Sequence, residues 1–407
     1  MSHFKKVCLE CEQEESDPMA MVCTSCSGLL GFHYNFEDVS WDDRFQQNMW
    51  RYWQLLPIDD PDSLVTLDEG GTPLLSTRAY GNHEIYVKDE TRNPTGSHKD
   101  RSLSVAINHG KSIGAQVTYI VSTGSAGVSN AALSARAGMR SVIVMCDGTP
   151  AERLYPLYML GATLVEVSGD IDPVVDLVAD ICREHGLYST STSRKTNPYQ
   201  SEGNKTIAYE IVEQLGHAPD WMVVPVGGGG SISGIWRGFC DLKKLKIIKD
   251  CPKMIGVVPH DYNALEIAFD QGIAKWKDVL AMPFEDAPPS VLVKLAHPYP
   301  PDQLESPHAI KASEGFFISV TDEEALNAQQ KIGHCEGLYI EPSSGACLAG
   351  LNKLVDSGKL QSNDSVVAMI SGSGFRETAT TMECRPLKKQ STDLNNLSST
   401  LVKAAQV

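Results

Sequence analysis

The chain has 407 residues, 42% of them hydrophobic and 21% charged, and its formal net charge at pH 7 is −16. This length allows two domains, and the composition is that of a soluble globular protein. The negative charge argues against nucleic acids and anionic membranes as partners, because both would be repelled. No apolar run predicts a membrane span and the first residues lack a signal-peptide core, so the cytoplasm is the expected location.

Two Cys-x-x-Cys pairs stand near the start of the chain, Cys8 with Cys11 and Cys23 with Cys26. This spacing lets four thiolates surround one tetrahedral Zn²⁺, as in a zinc ribbon. A redox dithiol is the alternative, although no thioredoxin-like helix follows either pair. Residues 1–35 are therefore predicted to form a separate module with a structural zinc.

The next segment, 36–64, is rich in Trp and Asp and predicts a helix packed against a larger body. From residue 65 onward short apolar runs alternate with helical patterns, which is typical of a parallel α/β sheet. Strands are predicted at 84–90, 117–123, 141–148, 163–169, 220–226, 253–259 and 366–374. The polar tail, 385–407, is predicted to be frayed or only peripherally docked.

Four consecutive glycines, Gly227–Gly230, separate a predicted strand from a predicted helix in "PVGGGGS". Without Cβ atoms their amides can converge on an anion, and the helix dipole adds favourable potential. The dinucleotide pattern G-x-G-x-x-G cannot be fitted here, and no Walker lysine follows. A single phosphate monoester is the predicted ligand, with a tight strand–helix turn as the alternative.

A lysine, Lys99, follows the turn in "NPTGSHKDRS". A lysine whose surroundings favour the neutral amine can trap a carbonyl compound. Together with a monophosphate cradle it suggests pyridoxal 5′-phosphate (PLP), which needs an amine for its aldehyde and an anchor for its phosphate. The alternative is an ordinary surface lysine at a helix start.

Two further turns complete the pattern. In "VSTGSAGVSN", Ser122, Thr123 and the amides of 124–126 could hold an amino acid's α-carboxylate at a helix N-terminus, although a plain turn between strand and helix is the alternative. In "MISGSGFRE", Ser371 could place a hydroxyl against a bound ring.

Six motifs, in the same order along the chain, resemble those of threonine synthase, a member of the tryptophan-synthase-β-like PLP enzymes of fold type II. They are "NPTGSHKDRS", "VSTGSAGVSNAALSARAGM", "SEGNKTIAYEIVEQLG", "DWMVVPVGGGGSISGIWRGF", "EGLYIEPSSGACLAGLNKL" and "VVAMISGSGFRE". The cysteine module also resembles one found on many threonine synthases.

The resemblance implies an α/β fold of two doubly wound domains with PLP in the cleft between them. The large domain would comprise 36–109 and 216–384, the smaller substrate-binding domain 110–215, and the protein would be a homodimer.

The resemblance also implies a role for each motif. Lys99 would bind the cofactor's aldehyde and move protons on the substrate. Ser371 would face the pyridine nitrogen. The phosphate would lie on the glycines and Ser231, and the substrate carboxylate on Ser122, Thr123, Gly124 and Ala126.

This chain departs from the family pattern at several positions. Ser125 replaces an asparagine that bonds the cofactor's 3′-oxygen, and Gln200 replaces a basic residue used on the substrate phosphate. His98 replaces a phenylalanine, and it could either relay protons or only line the pocket. Arg194 and Lys195 are candidate replacement cations for the substrate phosphate.

The predicted function is elimination or replacement on an activated amino acid, with O-phosphohomoserine converted to threonine and phosphate in the threonine synthase version. Replacement at Cβ, as in cysteate synthase acting on phosphoserine and sulfite, is the first alternative. An amino-acid dehydratase or ammonia-lyase and a catalytically silent binding protein are the others.

Overall fold

The computed structural model describes residues 3–80, 83–168, 171–283, 287–387 and 389–404. Its strands are β1 Phe4–Cys8, β2 Leu30–Tyr34, β3 Leu74–Ser76, β4 Glu84–Asp89, β5 Val117–Val121, β6 Arg140–Cys146, β7 Thr163–Val167, β8 Tyr188–Ser189, β9 Trp221–Pro225, β10 Lys253–Pro259, β11 Phe316–Val320 and β12 Ser365–Ile370.

The helices begin close to the predicted turns. They are α1 Lys99–Ser112, α2 Ser125–Ala137, α3 Ala151–Met159, α4 Ile171–Glu184, α5 Gln200–Gly203, α6 Lys205–Leu215, α7 Gly230–Lys244, α8 Ala264–Asp270, α9 Trp276–Val279, α10 Glu305–Ala312, α11 Asp322–Glu336, α12 Pro342–Asp356, α13 Thr378–Cys384 and α14 Leu397–Ala404. No helix in the described ranges is long and apolar enough to cross a membrane.

The larger sheet has six strands in the order β11-β10-β9-β12-β4-β3, all parallel except the edge strand β3. Successive side chains of a strand point to opposite faces. Val224 and Met254 accordingly join one apolar core, whereas Val223 and Ile255 join a second core on the other face. Both faces are therefore covered, which explains the continuous apolar runs in the sequence.

The smaller sheet has four parallel strands in the order β7-β6-β5-β8. All four lie within the predicted insertion at 110–215, and the exact domain boundaries stay a prediction. Leu103 and Ile107 of α1 pack into the core of this sheet with Ile120 and Ile143. The helix that begins at Lys99 thus reaches from the large sheet into the smaller domain.

The fold class is confirmed as α/β, but the segment 36–64 is not the predicted helix. It forms three short 3-10 turns, Asp43–Phe45, Met49–Leu55 and Pro61–Ser63. Asp and Asn side chains cap the start of each turn, and the backbone is non-helical at Tyr52 within the second turn and at Leu56 and Leu64 after the second and third. The predicted packing is correct, since Met49 and Trp50 are fully buried.

The N-terminal module pairs β1 and β2 as antiparallel strands and packs against the rest of the chain. Its Tyr34 hydroxyl donates to Glu202 at 2.9 Å, and its Leu30 carbonyl accepts from the Arg194 guanidinium at 3.3 Å. Gly169, Lys388 and residues 405–407, which fall in the predicted strand 163–169 and in the predicted tail, lie outside the described residues.

A buried ion network fixes the start of α1. Arg101, two residues after Lys99, donates to both oxygens of Glu90 at 2.7 and 2.9 Å and to both oxygens of Glu210 at 2.6 and 2.7 Å. The ammonium of Lys88 adds a third contact to Glu210 at 2.7 Å. All four side chains are at most 5% exposed. The network joins β4, α1 and α6.

Replacing Arg101 with Met should therefore unfold the chain more easily. Two buried carboxylates would lose their main partner, which typically costs roughly 3–5 kcal/mol of unfolding free energy. Urea unfolding followed by circular dichroism measures the change. Arg44→Met is the matched control, because the Arg44 side chain is 56% exposed and its ion pairs with Asp42 and Asp62 should contribute less than about 1 kcal/mol. Equal unfolding midpoints for the two variants would contradict this prediction.

Candidate functional site

The turn before Lys99 places the lysine in a cleft at the carboxyl ends of the large sheet's strands. Gly96 has a φ of +84°, a conformation that favours glycine, and Ser97 pairs with Gly372 just after β12. Thr95 donates to the carboxylate of Asp100 through both its amide and its hydroxyl. These contacts hold the chain in a tight loop, so that Lys99 begins the helix.

The surroundings of Lys99 favour its neutral form. Burial lowers the pKa of this lysine, and the positive charge of Lys294 lowers it further, against the opposing effects of Asp302 and Glu341. A neutral amine is the form that attacks a carbonyl carbon and accepts a proton. The electrostatic conditions expected of a Schiff-base lysine are present.

His98 connects two parts of the site. Its Nδ1 lies 3.1 Å from the carbonyl oxygen of Ser371, and its Nε2 lies 3.1 Å from the hydroxyl of Ser231. Burial and the adjacent Lys99 lower the pKa of His98 to about 4, so the ring is neutral at pH 7. A carbonyl only accepts, so Nδ1 carries the proton and Ser231 donates to Nε2. Both ring nitrogens are thus engaged, and a catalytic role for His98 stays a prediction.

The glycine loop is packed tightly on one side and open along its amides. A Cβ on Gly227 would lie 2.5 Å from the Lys294 carbonyl oxygen, and one on Gly229 would lie 2.9 Å from the Ser306 hydroxyl. Gly229 has a φ of +100° and is the N-cap of α7. Within the described residues, no acceptor is bonded to the amides of 227–230.

These features fit the phosphate of PLP. The free amides stand at a helix N-terminus, where the dipole favours an anion. The hydroxyl of Ser306 is fully buried and lacks a hydrogen-bond partner in the described chain. It can therefore donate a hydrogen bond to a ligand on the loop. The residues predicted from the sequence therefore have the chemistry of a phosphate site, and their role stays a prediction.

Ser371 lies at the end of β12 among polar partners that the sequence did not indicate. Its hydroxyl donates to Glu341 Oε1 at 2.7 Å and lies 3.0 Å from the Ser344 hydroxyl. Burial raises the pKa of Glu341, but the ammonium of Lys294 and the Ser371 hydroxyl outweigh it and hold that pKa below its usual value. Glu341 and Ser344 stand in the quoted motif "EPSSG", so their positions were available although their roles were not.

The small-residue turn forms a second open helix N-terminus. Ser122 accepts the Gly124 amide on its hydroxyl at 3.2 Å, and α2 begins at Ser125 without a side-chain cap. Lys294 donates to the Ser125 hydroxyl at 3.1 Å and pairs with Glu341 at 2.5 Å and Glu377 at 2.8 Å. Lys294 therefore brings a cation to the turn predicted to bind the substrate. No motif in the sequence indicates Lys294.

Of the other predicted substrate residues, Arg194, Lys195 and Gln200 lie outside the small-residue turn. Arg194 is buried, and its guanidinium pairs with Glu305 at 2.6 Å. Lys195 is at the surface, 3.2 Å from Asp176. Gln200 is buried at the start of α5. Thr123 and Ala126 lie in the small-residue turn, as the sequence indicates.

The four cysteines of the N-terminal module converge. Their sulfur atoms all lie within 4.8 Å of one another, with Cys8 to Cys26 at 3.5 Å and Cys11 to Cys23 at 3.7 Å. Tetrahedral zinc with bonds of about 2.3 Å requires sulfur separations of about 3.8 Å. The cluster can therefore hold a metal ion.

Comparison with known proteins agrees with this geometry. Residues 65–372 match the model of the family described as "Pyridoxal-phosphate dependent enzyme". Threonine synthase of Methanocaldococcus jannaschii is 33% identical over 91% of this chain and 92% of its own, and that of Methanosarcina acetivorans is 33% identical over 94% of both.

Solved structures show the same fold at lower identity. An O-ureido-L-serine synthase superposes with a TM-score of 0.63 and 20% identity, covering 80% of this chain and 96% of its own. Threonine deaminase isoform 2 from Solanum lycopersicum superposes with a TM-score of 0.58 and 20% identity, and the match covers 78% of this chain and 88% of that one. The chain therefore belongs to the pyridoxal-phosphate dependent enzymes of fold type II, in their threonine synthase-like branch.

Proposed function

We propose that this enzyme catalyses elimination or replacement on an activated amino acid, and that it converts O-phosphohomoserine and water to threonine and phosphate. The observation that carries the proposal is the meeting of Lys99, the glycine loop, Ser371 and the small-residue turn in one cleft. His98 links the first three through its contacts with Ser371 and Ser231. The similarity to threonine synthases over more than nine-tenths of the chain supports it.

Each part of the cleft has a role in this reaction. PLP, when bound, supplies the electron sink that stabilises negative charge on the substrate carbons. Lys99 takes the proton from Cα and moves protons at the following carbons while phosphate leaves Cγ and water adds at Cβ. The amides at the start of α2, with Ser122 and Thr123, hold the α-carboxylate and so fix the Cα–H bond toward Lys99.

Lys294 is proposed to bind the anionic group at the far end of the substrate. It lies on Ser125, next to the proposed carboxylate site, and it is only partly buried, with 21% of its side chain exposed. Arg194, which pairs with Glu305, is in contrast only 3% exposed. A lysine that can exchange a carboxylate for a substrate phosphate suits transient binding better than a buried arginine.

Replacement at Cβ of a phosphorylated serine is the second candidate. The observation that favours it is the neutral Gln200 at the position where the threonine synthase pattern has a base.

A panel of substrates tests both candidates on the PLP-loaded enzyme. We expect rapid release of phosphate from O-phosphohomoserine with threonine formed in equal amount. Phosphate release from O-phosphoserine only in the presence of sulfite would instead establish the second candidate. No turnover of either compound, or an unchanged visible spectrum when PLP is added, would contradict the proposed function.

The same substrates test whether Lys294 binds the phosphate of the substrate. Lys294→Met should raise KM for the phosphorylated substrate by roughly 10- to 100-fold, since a hydrogen-bonded charge pair with the substrate is lost. The kcat value should change less, and Lys294→Arg should retain most of the affinity. An unchanged KM in Lys294→Met would remove this residue from the substrate site.

We propose further that the cysteine cluster holds one structural zinc ion. Four thiolates leave no open coordination position, so the ion would stabilise the module rather than react. Metal analysis of the purified chain should return about one zinc per chain, and Cys11→Ser should lower it sharply. Cys335→Ser, at an exposed cysteine outside the cluster, is the control. Disulfides within the cluster and no bound metal would contradict the proposal.

A homodimer in the cytoplasm remains an expectation.

A further inference from the structure

An acid stands beside the predicted phosphate site. Asp302 precedes α10, and its amide donates to the Gly228 carbonyl oxygen at 3.1 Å. Its Oδ2 lies 2.7 Å from the position that a Cβ on Gly230 would occupy and 3.4 Å from that of Gly228. The residue is only 5% exposed. A carboxyl group therefore packs directly against the loop whose amides fit an anion.

The two oxygens of Asp302 have different partners. Oδ1 accepts the backbone N–H of Arg194 at 2.8 Å. No donor among the described residues bonds Oδ2. Oδ2 is thus the atom available to a ligand on the loop. An ionised carboxylate there would repel a phosphate dianion in a poorly solvated site.

The charged groups around Asp302 have opposite effects on its pKa. Burial is the largest influence and, with the negative charge of Glu305 on α10, raises the pKa of Asp302 to about 7. The Arg194 amide and guanidinium and the ammonium of Lys99 on α1 oppose it. From the same segment His297 lies beside Gly227. From α7 the Ser231 hydroxyl lies 3.1 Å from His98 Nε2, and Arg237 pairs with Glu305 at 3.3 Å.

We propose that Asp302 is a cofactor-binding residue that donates a hydrogen bond to the phosphate of PLP as a neutral carboxyl. The proton on Oδ2 then lies between the carboxyl and a phosphate oxygen, so that the acid becomes a donor instead of a repelling charge. Binding of PLP at a pH above neutrality takes up one proton from solvent. This inference concerns the cofactor alone and does not depend on which amino acid the enzyme uses.

The dissociation constants of PLP and of pyridoxal, which lacks the phosphate, test the proposal directly. Both ligands use the same aldehyde and the same Lys99, so the ratio of the two constants isolates the phosphate. For the wild-type protein we expect the tighter binding of PLP relative to pyridoxal, measured as the ratio of the two dissociation constants, to fall roughly tenfold between about pH 7 and pH 8.5. The cause is proton linkage, because the carboxyl must be protonated to bind the phosphate. The phosphate ester's own ionisation, with a pKa of about 6, would act in the opposite direction.

The variant Asp302→Asn supplies a neutral donor at every pH. In this variant the ratio of the pyridoxal and PLP dissociation constants should no longer fall above pH 7, while the affinity for pyridoxal stays close to that of the wild type. Asp176→Asn, at an exposed carboxylate paired with Lys195, should keep the wild-type profile.

Two results would overturn the proposal. One is a wild-type advantage for PLP that stays constant or rises with pH. The other is an Asp302→Asn variant that binds pyridoxal normally but keeps the wild-type dependence. Should the variant fail to fold, the wild-type comparison alone still decides, because it needs no substitution and no substrate.

Discussion

Arg101 is the residue around which the rest of the site is arranged. Its guanidinium lies between Glu90 and Glu210 with no exposure to solvent, so it joins the end of a strand in the large sheet to two helices. Burying these charges is costly, and the network compensates only if every donor and acceptor is in place. Because Arg101 is two residues from Lys99, the geometry that satisfies the network also fixes the lysine at the start of its helix.

The cleft beside this network contains two lysines and three carboxyl groups, and only some of them are paired with one another. Lys294 pairs directly with Glu341 and Glu377, and the charges of Asp302, Glu341 and Lys294 all act on Lys99. Burial lowers the pKa of Lys99, so this lysine can lose its proton, whereas Lys294 pairs with the two carboxylates of Glu341 and Glu377. One lysine is thereby suited to covalent chemistry and the other to binding an anion.

Local patterns in the sequence predicted the strands, the glycine loop, the small-residue turn and Lys99, because each depends on neighbouring residues. Lys294, Asp302 and Ser306 could not be found in this way. They lie in a segment without a motif, and only the fold brings them to glycines more than sixty residues earlier in the chain. The segment 36–64 differs from the predicted helix because Met49 and Trp50 are placed by contact with Val105 and Tyr199, not by helical periodicity.

The most direct test of Lys99 as the cofactor lysine is borohydride reduction of the PLP-loaded protein, followed by peptide mass spectrometry. Reduction makes the lysine–cofactor bond permanent. We expect about one phosphopyridoxyl group per chain, on the peptide that contains Lys99. A label found instead on Lys294, a second lysine in the same cleft, or no label at all, would contradict the assignment.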